Sequence, residues 1–224
     1  MKGGMFMIIL TDLSEVLIHG MYGMEEIVSE RHGIRTAEKF IKRKNEPEME
    51  KDFSNLLRGL ITEEAYWKSF LSEDYWPFSF KDAEAMLGEN LARPRIRGVL
   101  EVYNSIKSYP ENVGSYSKKK GKPEIWIVSD HIRERLYEIH TLHKDVFEII
   151  NKEIWSCEVN KIKSDNGFFN TVLKQNSLKP EEVVFIDDLG INVSCARGIG
   201  ITSINFLDSE QLKNELINLG FTFS

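Results

Sequence analysis

Three short stretches of this 224-residue chain place a carboxylate next to groups that bind phosphate oxygens or a hard cation. Thr11-Asp12-Leu13-Ser14 follows the apolar run Met5 to Leu10. Ser129-Asp130-His131 follows Glu124 to Val128 (EIWIV), and Asp187-Asp188 follows Val183 to Ile186 (VVFI). One aspartate after an apolar run is usually a turn former or helix cap. Asp188 suits that role for a helix near Gly190, and Ser129 for one near Ile132. As a set converging on one edge, Asp12, Asp187 and Asp188 repel one another and need a cation or a proton. Ligands that are all oxygen select Mg²⁺, which keeps several waters and accepts phosphate oxygens. Lys163, in the polar segment Asn160 to Asp165, adds fixed positive charge. Carboxylate, metal, lysine and hydroxyl together suit phosphoryl transfer, where catalysis is mostly positioning and charge stabilisation.

The elements that must position these residues follow from apolar patterning. Met5 to Leu10, EIWIV, VVFI and Ile201 to Phe206 are apolar at consecutive positions, as strands buried on both faces are. Ile154 to Cys157 is a shorter fifth candidate. Helix-period segments separate the later runs: Arg133 to Leu142, Phe168 to Leu178, and Ser209 to Leu219, which opens on a good cap residue. Strands alternating with helices predict an α/β fold with a Rossmann-like parallel sheet. Ligands in such sheets bind outside the carboxyl ends of the strands, where all three stretches fall.

The first crossover is too long for this rhythm. A simple crossover unit takes about thirty residues, yet the next convincing strand after Leu10 begins at Glu124. The helical stretch 21–93, with Thr62 opening one helix, reads as a helical cap domain inserted in a core formed by 1–20 and 94–224. Pro94 marks the return, and Arg95 to Ser108 is the first core crossover helix. Tyr109 to Pro123, with three consecutive lysines from Lys118, reads as an exposed loop.

Composition narrows the class. A hydrophobic fraction of 42% and a charged fraction of 29% suit a foldable protein and exclude a disordered or collagen-like chain. The formal charge of −6 argues against nucleic acid as a partner. The six-residue run Met5 to Leu10 is too short to span a bilayer and lacks a signal-peptide cleavage site, so a cytoplasmic protein without membrane partners is expected. Cys157 and Cys195 make neither a disulfide framework nor a zinc quartet. His140 and His143 lie three apart with no further ligand in view, so packing or exposed histidines are expected rather than zinc.

In these pieces and their order the chain resembles the haloacid dehalogenase-like (HAD-like) hydrolase superfamily, in its phosphatase-like branch with a helical cap after strand one. The matching pieces are TDLSEVL at 11–17, IVSD at 127–130, a lysine near 163, and VVFIDDLGINVSCARGIGITSINF at 183–206. The arrangement of Asp187, Asp188 and Asn192 before A-R-x-x-G-I is the most specific. NKIKSDNGFF at 160–169 resembles the K-P-D-P-x-x-F segment, with Lys163 as the motif lysine and Lys161 as the competing choice. The resemblance implies a Mg²⁺-dependent phosphomonoester hydrolase for a small-molecule phosphate ester. It makes Asp12 the nucleophile that becomes an aspartyl-phosphate, and Ser129 the hydrogen-bonding partner of the phosphoryl oxygens. Lys163 orients Asp12 and offsets phosphate charge. Asp12, Asp187, Asp188 and the backbone carbonyl of Ser14 hold Mg²⁺, with Asn192 in support.

Three positions depart from that pattern. Ser14 stands where the second aspartate of D-x-D protonates the leaving oxygen. General acid–base catalysis contributes about 10²–10⁴-fold, so its loss raises the barrier by roughly 3–5 kcal/mol. That predicts slow turnover, or leaving groups needing little protonation: sugar 1-phosphates, acyl or aryl phosphates. Glu15 substitutes only if the backbone turns it inward. The first motif, D-L-S-E-V, is similar to a D-L-G-x-V set that includes sugar-phosphate phosphatases. Asp130, which is grouped with Ser129 and Lys163 at the substrate phosphate, repels that phosphate unless it faces His131 or a backbone amide. Lys163 is followed by Ser164-Asp165-Asn166 without prolines, which predicts a looser lysine loop. A non-catalytic or weakly active binding or regulatory protein on the same fold is the alternative. A 2-haloacid dehalogenase ranks lower, because its chemistry does not need the Asp187–Asp188 pair.

Overall fold

The computed structural model describes residues 8–20, 23–72, 75–108 and 123–223. Met5 to Met7 and most of the lysine-bearing loop, 109–122, lie outside the described residues. β1 (Ile8–Thr11) is followed by five helices: α1 (Met24–His32), α2 (Ile34–Lys44), α3 (Pro47–Leu57), α4 (Glu63–Phe70) and α5 (Phe80–Leu91). The core then continues through α6 (Val99–Ser108), β2 (Glu124–Ser129), α7 (Leu136–Leu142), α8 (Lys144–Phe147), β3 (Lys152–Trp155) and α9 (Ser156–Val159). It ends with α10 (Phe168–Gln175), β4 (Val183–Asp187), α11 (Gly190–Gly198), β5 (Thr202–Asn205) and α12 (Ser209–Asn218).

The five strands form one parallel sheet in the order β3-β2-β1-β4-β5. Successive strand residues point to opposite faces, and both faces are covered. Ile9, Ile125, Ile127, Val184 and Ile186 join one apolar cluster, which runs on into the helical insertion. Ile8, Leu10, Trp126, Val128 and Phe185 join a second cluster with Phe168, Phe169 and Val172 of α10. Burial on both sides is why these strands are apolar without alternation. Among the described residues, no helix is long and apolar enough to cross a membrane.

Several local expectations shift. The fifth strand lies at Lys152–Trp155, because Ser156 and Cys157 already begin α9. Ser129 is the last residue of β2 and caps no helix. α12 is capped by Asp208, whose carboxylate accepts from Gln211 N at 2.8 Å, one residue before the serine expected to open it. Asp188 does not cap α11; the Leu189 N–H instead donates to Asp187 Oδ1 at 2.9 Å. Thr62 does cap α4, accepting from Ala65 N at 3.2 Å.

Candidate active site

Strand register brings the first carboxylates together. Thr11 of β1 pairs with Ile127 of β2 and Ile186 of β4. Asp12, one residue on, is therefore level with Asp187 on the neighbouring strand, and Asp12 N donates to Ile186 O at 2.8 Å. Adjacent strands lie about 4.8 Å apart, so the two side chains share one space. β1 is central: the chain steps outward from it through β2 and β3, then returns to its other side with β4. The site thus sits where strand order reverses, at the carboxyl ends.

Lys163 Nζ lies 2.6 Å from Asp12 Oδ2 and 2.6 Å from Asp187 Oδ2, and its side chain is buried. Asp187 is held further by Asn192, whose Nδ2 donates to Oδ1 at 3.0 Å. The other oxygen of Asp12 accepts from Leu13 N at 2.7 Å. Ser129 Oγ is buried beside Asp12 and has no hydrogen-bond partner among the described residues. Burial pulls the Lys163 ammonium down, but Asp12, Asp187 and Asp130 outweigh it and hold it well above the ordinary lysine range. Burial raises the Asp12 carboxyl, Lys163 opposes that, and Asp187 adds to it. Asp188 is pushed up to about 6 by burial and by Asp187. Asp12 and Asp188 resist ionisation chiefly because they are buried, and the neighbouring Asp187 adds to it.

A cation relieves that imbalance. Asp12, Asp187 and Asp188 each offer an oxygen within 4.8 Å of the others. Three carboxylate oxygens with no nitrogen or sulfur donor suit a hard ion such as Mg²⁺. Lys161, the competing lysine, is outside this cluster; its Nζ lies near Gly167.

Asp130 does not point a bare charge at the site. Its carboxylate accepts from Lys163 N at 3.0 and 3.2 Å, so it fixes the backbone of the lysine. Burial pushes it up to about 6, against the pull of Lys163. The lysine loop is not loose either. Asp165 Oδ2 accepts from Ile162 N at 3.0 Å, and Asp165 N donates to Ile162 O at 2.9 Å. Arg58, just past α3 in the insertion, grips Asp165 through two bonds, one of them at 2.7 Å from Nε. These hydrogen bonds do what prolines would have done.

Ser14 reaches the site. It bridges to Ile18 across a tight turn and lines the cavity with Asp12. A Cβ on Gly20 would stand 2.6 Å from Ser14 Cβ, so this position admits only glycine. Glu15 adopts a positive φ of 57° and accepts from Gly20 N at 2.8 Å; the turn occupies it and it is not in the cavity lining. His131 is buried, and burial pulls it down to about 4. His140 stacks on Phe147 and pairs with Glu153, and His143 Nε2 contacts Leu91 O at 2.8 Å, so both pack rather than bind metal.

The helical insertion closes the site from above. The cavity between it and the strand ends has a volume of about 680 Å³. Glu25, Asn45, Glu50 and Ser54 line it from the insertion, beside Phe53 and Tyr66. Nothing in the sequence marked these positions, because polar residues on a helical insertion look the same whether they face solvent or a cleft. The insertion is fastened by the Arg58–Asp165 pair and by Glu63, whose carboxylate takes Arg135 Nε at 2.7 Å and Nη2 at 2.6 Å. Ser156 Oγ donates to Leu57 O at 2.6 Å. A Cβ on Gly59 would come within 2.7 Å of Cys157 O, so only glycine permits this approach.

No family model matches the chain. Bifunctional epoxide hydrolase 2 of Mus musculus is 30% identical over 154 residues, 66% of this chain and 27% of that protein. The chain thus spans under a third of the length of the curated relatives it matches. Among solved structures, a predicted HAD-like family hydrolase from Porphyromonas gingivalis aligns with a TM-score of 0.68 at 19% identity, over 96% of this chain and 98% of that one. A HAD family enzyme from Bacteroides thetaiotaomicron, in complex with magnesium and inorganic phosphate, aligns at 0.64 and 16% identity over 91% and 95%. L-2-haloacid dehalogenase from Xanthobacter autotrophicus, with chloropropionic acid covalently bound, aligns at 0.62 and 13% identity over 97% and 85%.

Proposed function

We propose, for a chain that has the HAD-like hydrolase fold with a helical cap inserted after the first strand, that it is a Mg²⁺-dependent phosphomonoester hydrolase. Its substrate in this reading is a small phosphorylated metabolite such as a sugar phosphate. Residues 21–93 act as the cap and 1–20 with 94–224 as the core. The observation that carries the reading is the Lys163 ammonium held 2.6 Å from both Asp12 and Asp187, with Asp188 adjoining. A dehalogenase does not need Asp187 and Asp188 as a metal pair, and the magnesium and phosphate bound by the Bacteroides enzyme lend support.

In the mechanism, an Asp12 oxygen attacks phosphorus and the bond to the ester oxygen breaks, giving an aspartyl-phosphate and the alcohol's anion, which takes a proton from water. Water then attacks that phosphorus, the bond from phosphorus to the Asp12 oxygen breaks, and inorganic phosphate and a proton leave as the Asp12 carboxylate is regenerated. Lys163 orients Asp12, draws it toward its ionised form, and offsets charge on the phosphoryl oxygens. Ser129 Oγ, unpartnered among the described residues, donates to one of those oxygens. Asp12, Asp187, Asp188 and the Ser14 carbonyl would hold Mg²⁺, which supplies charge neutralisation at the phosphoryl group. Ser14 cannot protonate the leaving oxygen, so the alcohol departs largely as its anion. Alcohols of low pKa are favoured for that reason, sugar 1-phosphates and aryl phosphates among them.

Phosphate release from an aryl phosphate and a sugar-phosphate panel, with Mg²⁺ or EDTA, tests this directly. Metal-dependent turnover that vanishes in Asp12→Asn is the expected result. No turnover on any compound, with parent and variant alike, would instead favour a non-catalytic binding protein, the alternative that Ser14 keeps open.

A further inference from the structure

Two of the large apolar side chains that stand exposed among the described residues line the cavity of Asp12 and Lys163. They are Leu189, 37% exposed, and Ile191, 61% exposed. Exposed apolar residues scattered singly need no explanation, but two together in the lining of a cavity do. The packing of α11 does not ask for them. Asn192 is drawn inward by its bond to Asp187, and Val193 and Ala196 fill the inner side of the helix. Ile191 is left on the cavity side, where a polar residue would suit the helix equally well.

The facing wall is one side of α3. Glu50, Phe53, Ser54 and Leu57 all line the cavity, at the i, i+3, i+4, i+7 spacing of a single helix face. Arg58, the next residue, is bound to Asp165 in the lysine loop, so Leu57 marks the inner end and the exposed Glu50 the outer end. Seven residues of helix rise about 10 Å. From the inside outward this face reads leucine, then phenylalanine with serine, then glutamate. Phe53 is half-buried and backed by Tyr66, with ring centroids 5.8 Å apart, so it stands as a fixed wall. Apolar side chains thus border the cavity from both the core and the insertion, and the polar Asn45 and Glu50 stand at the exposed rim. A hydrocarbon group gains by displacing water from between such walls, whereas a polyol loses water there without finding equivalent partners.

We propose that Leu189 and Ile191 are specificity residues that form, with Phe53 and Leu57, an apolar slot for the leaving group. The substrate is then an amphiphilic monophosphate, its alcohol carrying a hydrocarbon body about as long as the slot, and a bare sugar phosphate ranks below it. This rests on the hydrolase reading for the phosphoryl end and narrows that reading's small metabolite by its other end.

The test uses para-alkylphenyl phosphates from methyl to pentyl, below their micellar concentrations, with a sugar 1-phosphate for comparison. Lengthening the chain changes apolar reach while the acidity of the leaving phenol stays nearly constant, so the two influences separate. In the parent, kcat/KM is expected to rise about two- to fourfold per methylene, mainly through KM, until the chain reaches the rim. In Leu189→Ser/Ile191→Ser the rise should fall to about 1.5-fold or less per methylene. Both side chains are exposed, so the fold does not depend on them. Leu189→Met/Ile191→Leu should keep the parent's rise, which a merely structural role for these positions would not predict. Calorimetric binding of the same series to Asp12→Asn gives a readout independent of turnover. A flat series in the parent, a rise undiminished by the serines, or a sugar 1-phosphate preferred to the pentyl compound overturns the inference and leaves the hydrolase reading intact. Chain-length-dependent binding that the serines abolish, with no phosphate release from any compound, supports the slot and sinks the hydrolase reading.

Discussion

Arg58→Ala tests whether the helical insertion reaches the chemistry through the lysine loop. Arg58 makes two charge-assisted bonds to Asp165, and their side chains are 22% and 24% exposed. Exposed ion pairs contribute about 0.2–1 kcal/mol, and hydrogen bonds to charged groups about 1.5–3. At this exposure an intermediate value of about 1.5 kcal/mol applies. Asp165 is two residues from Lys163 and is tied to Ile162 on its other side. If the lost energy loosens that loop, the aligned lysine is populated about tenfold less, since roughly 1.4 kcal/mol is a factor of ten. Steady-state assays are expected to show kcat falling up to about tenfold with KM nearly constant. Asp165→Ala should match it, and the double variant should lose little more than either single, because all three remove one interaction. Arg58→Lys should recover only part, because an ammonium cannot reproduce the guanidinium fork. Loss of about 1.5 kcal/mol in urea denaturation with kcat within twofold of the parent would refute the reasoning. The pair would then fasten the insertion without touching the lysine.

Three further outcomes are expected. Ser14→Asp supplies the missing acid beside Asp12, so kcat/KM on simple alkyl phosphates should rise by about 10²-fold or more while aryl phosphates gain little; equal gains on both would contradict the role given to Ser14. Mg²⁺ at about 100 times its dissociation constant should stabilise the parent by about 2.7 kcal/mol in thermal melts and leave Asp187→Asn unmoved; identical parent melts in Mg²⁺ and EDTA would argue against the acidic cluster as a metal site. His131 is held by burial at about 4, below its ordinary 6.5, so the neutral ring contributes stability above pH 6.5 that is lost as pH falls toward 4. Between pH 7 and 5 the parent should lose about 2 kcal/mol more than His131→Gln in urea titrations, and parallel losses would show that other groups control the acid limb.

The sequence by itself determined the order of the strands, the helical character of the long first crossover, and the larger helices of the core. Runs such as VVFI and EIWIV are buried on both faces, and that demand is written in consecutive apolar residues. It also marked Asp12, Ser129, Asp187 and Asp188 as strand-end residues, because strand and strand end are local in the chain. Only the tertiary structure decided how those ends meet. Pairing of Thr11 with Ile186 sets Asp12 level with Asp187, and a one-residue slip would have turned one of them to the other face. The choice of Lys163 over Lys161, the turning of Asp130 onto the Lys163 amide, and the grip of Arg58 on Asp165 depend on groups distant in the chain. Apolar burial leaves a periodic trace in one segment, whereas a polar contact between segments leaves none in either.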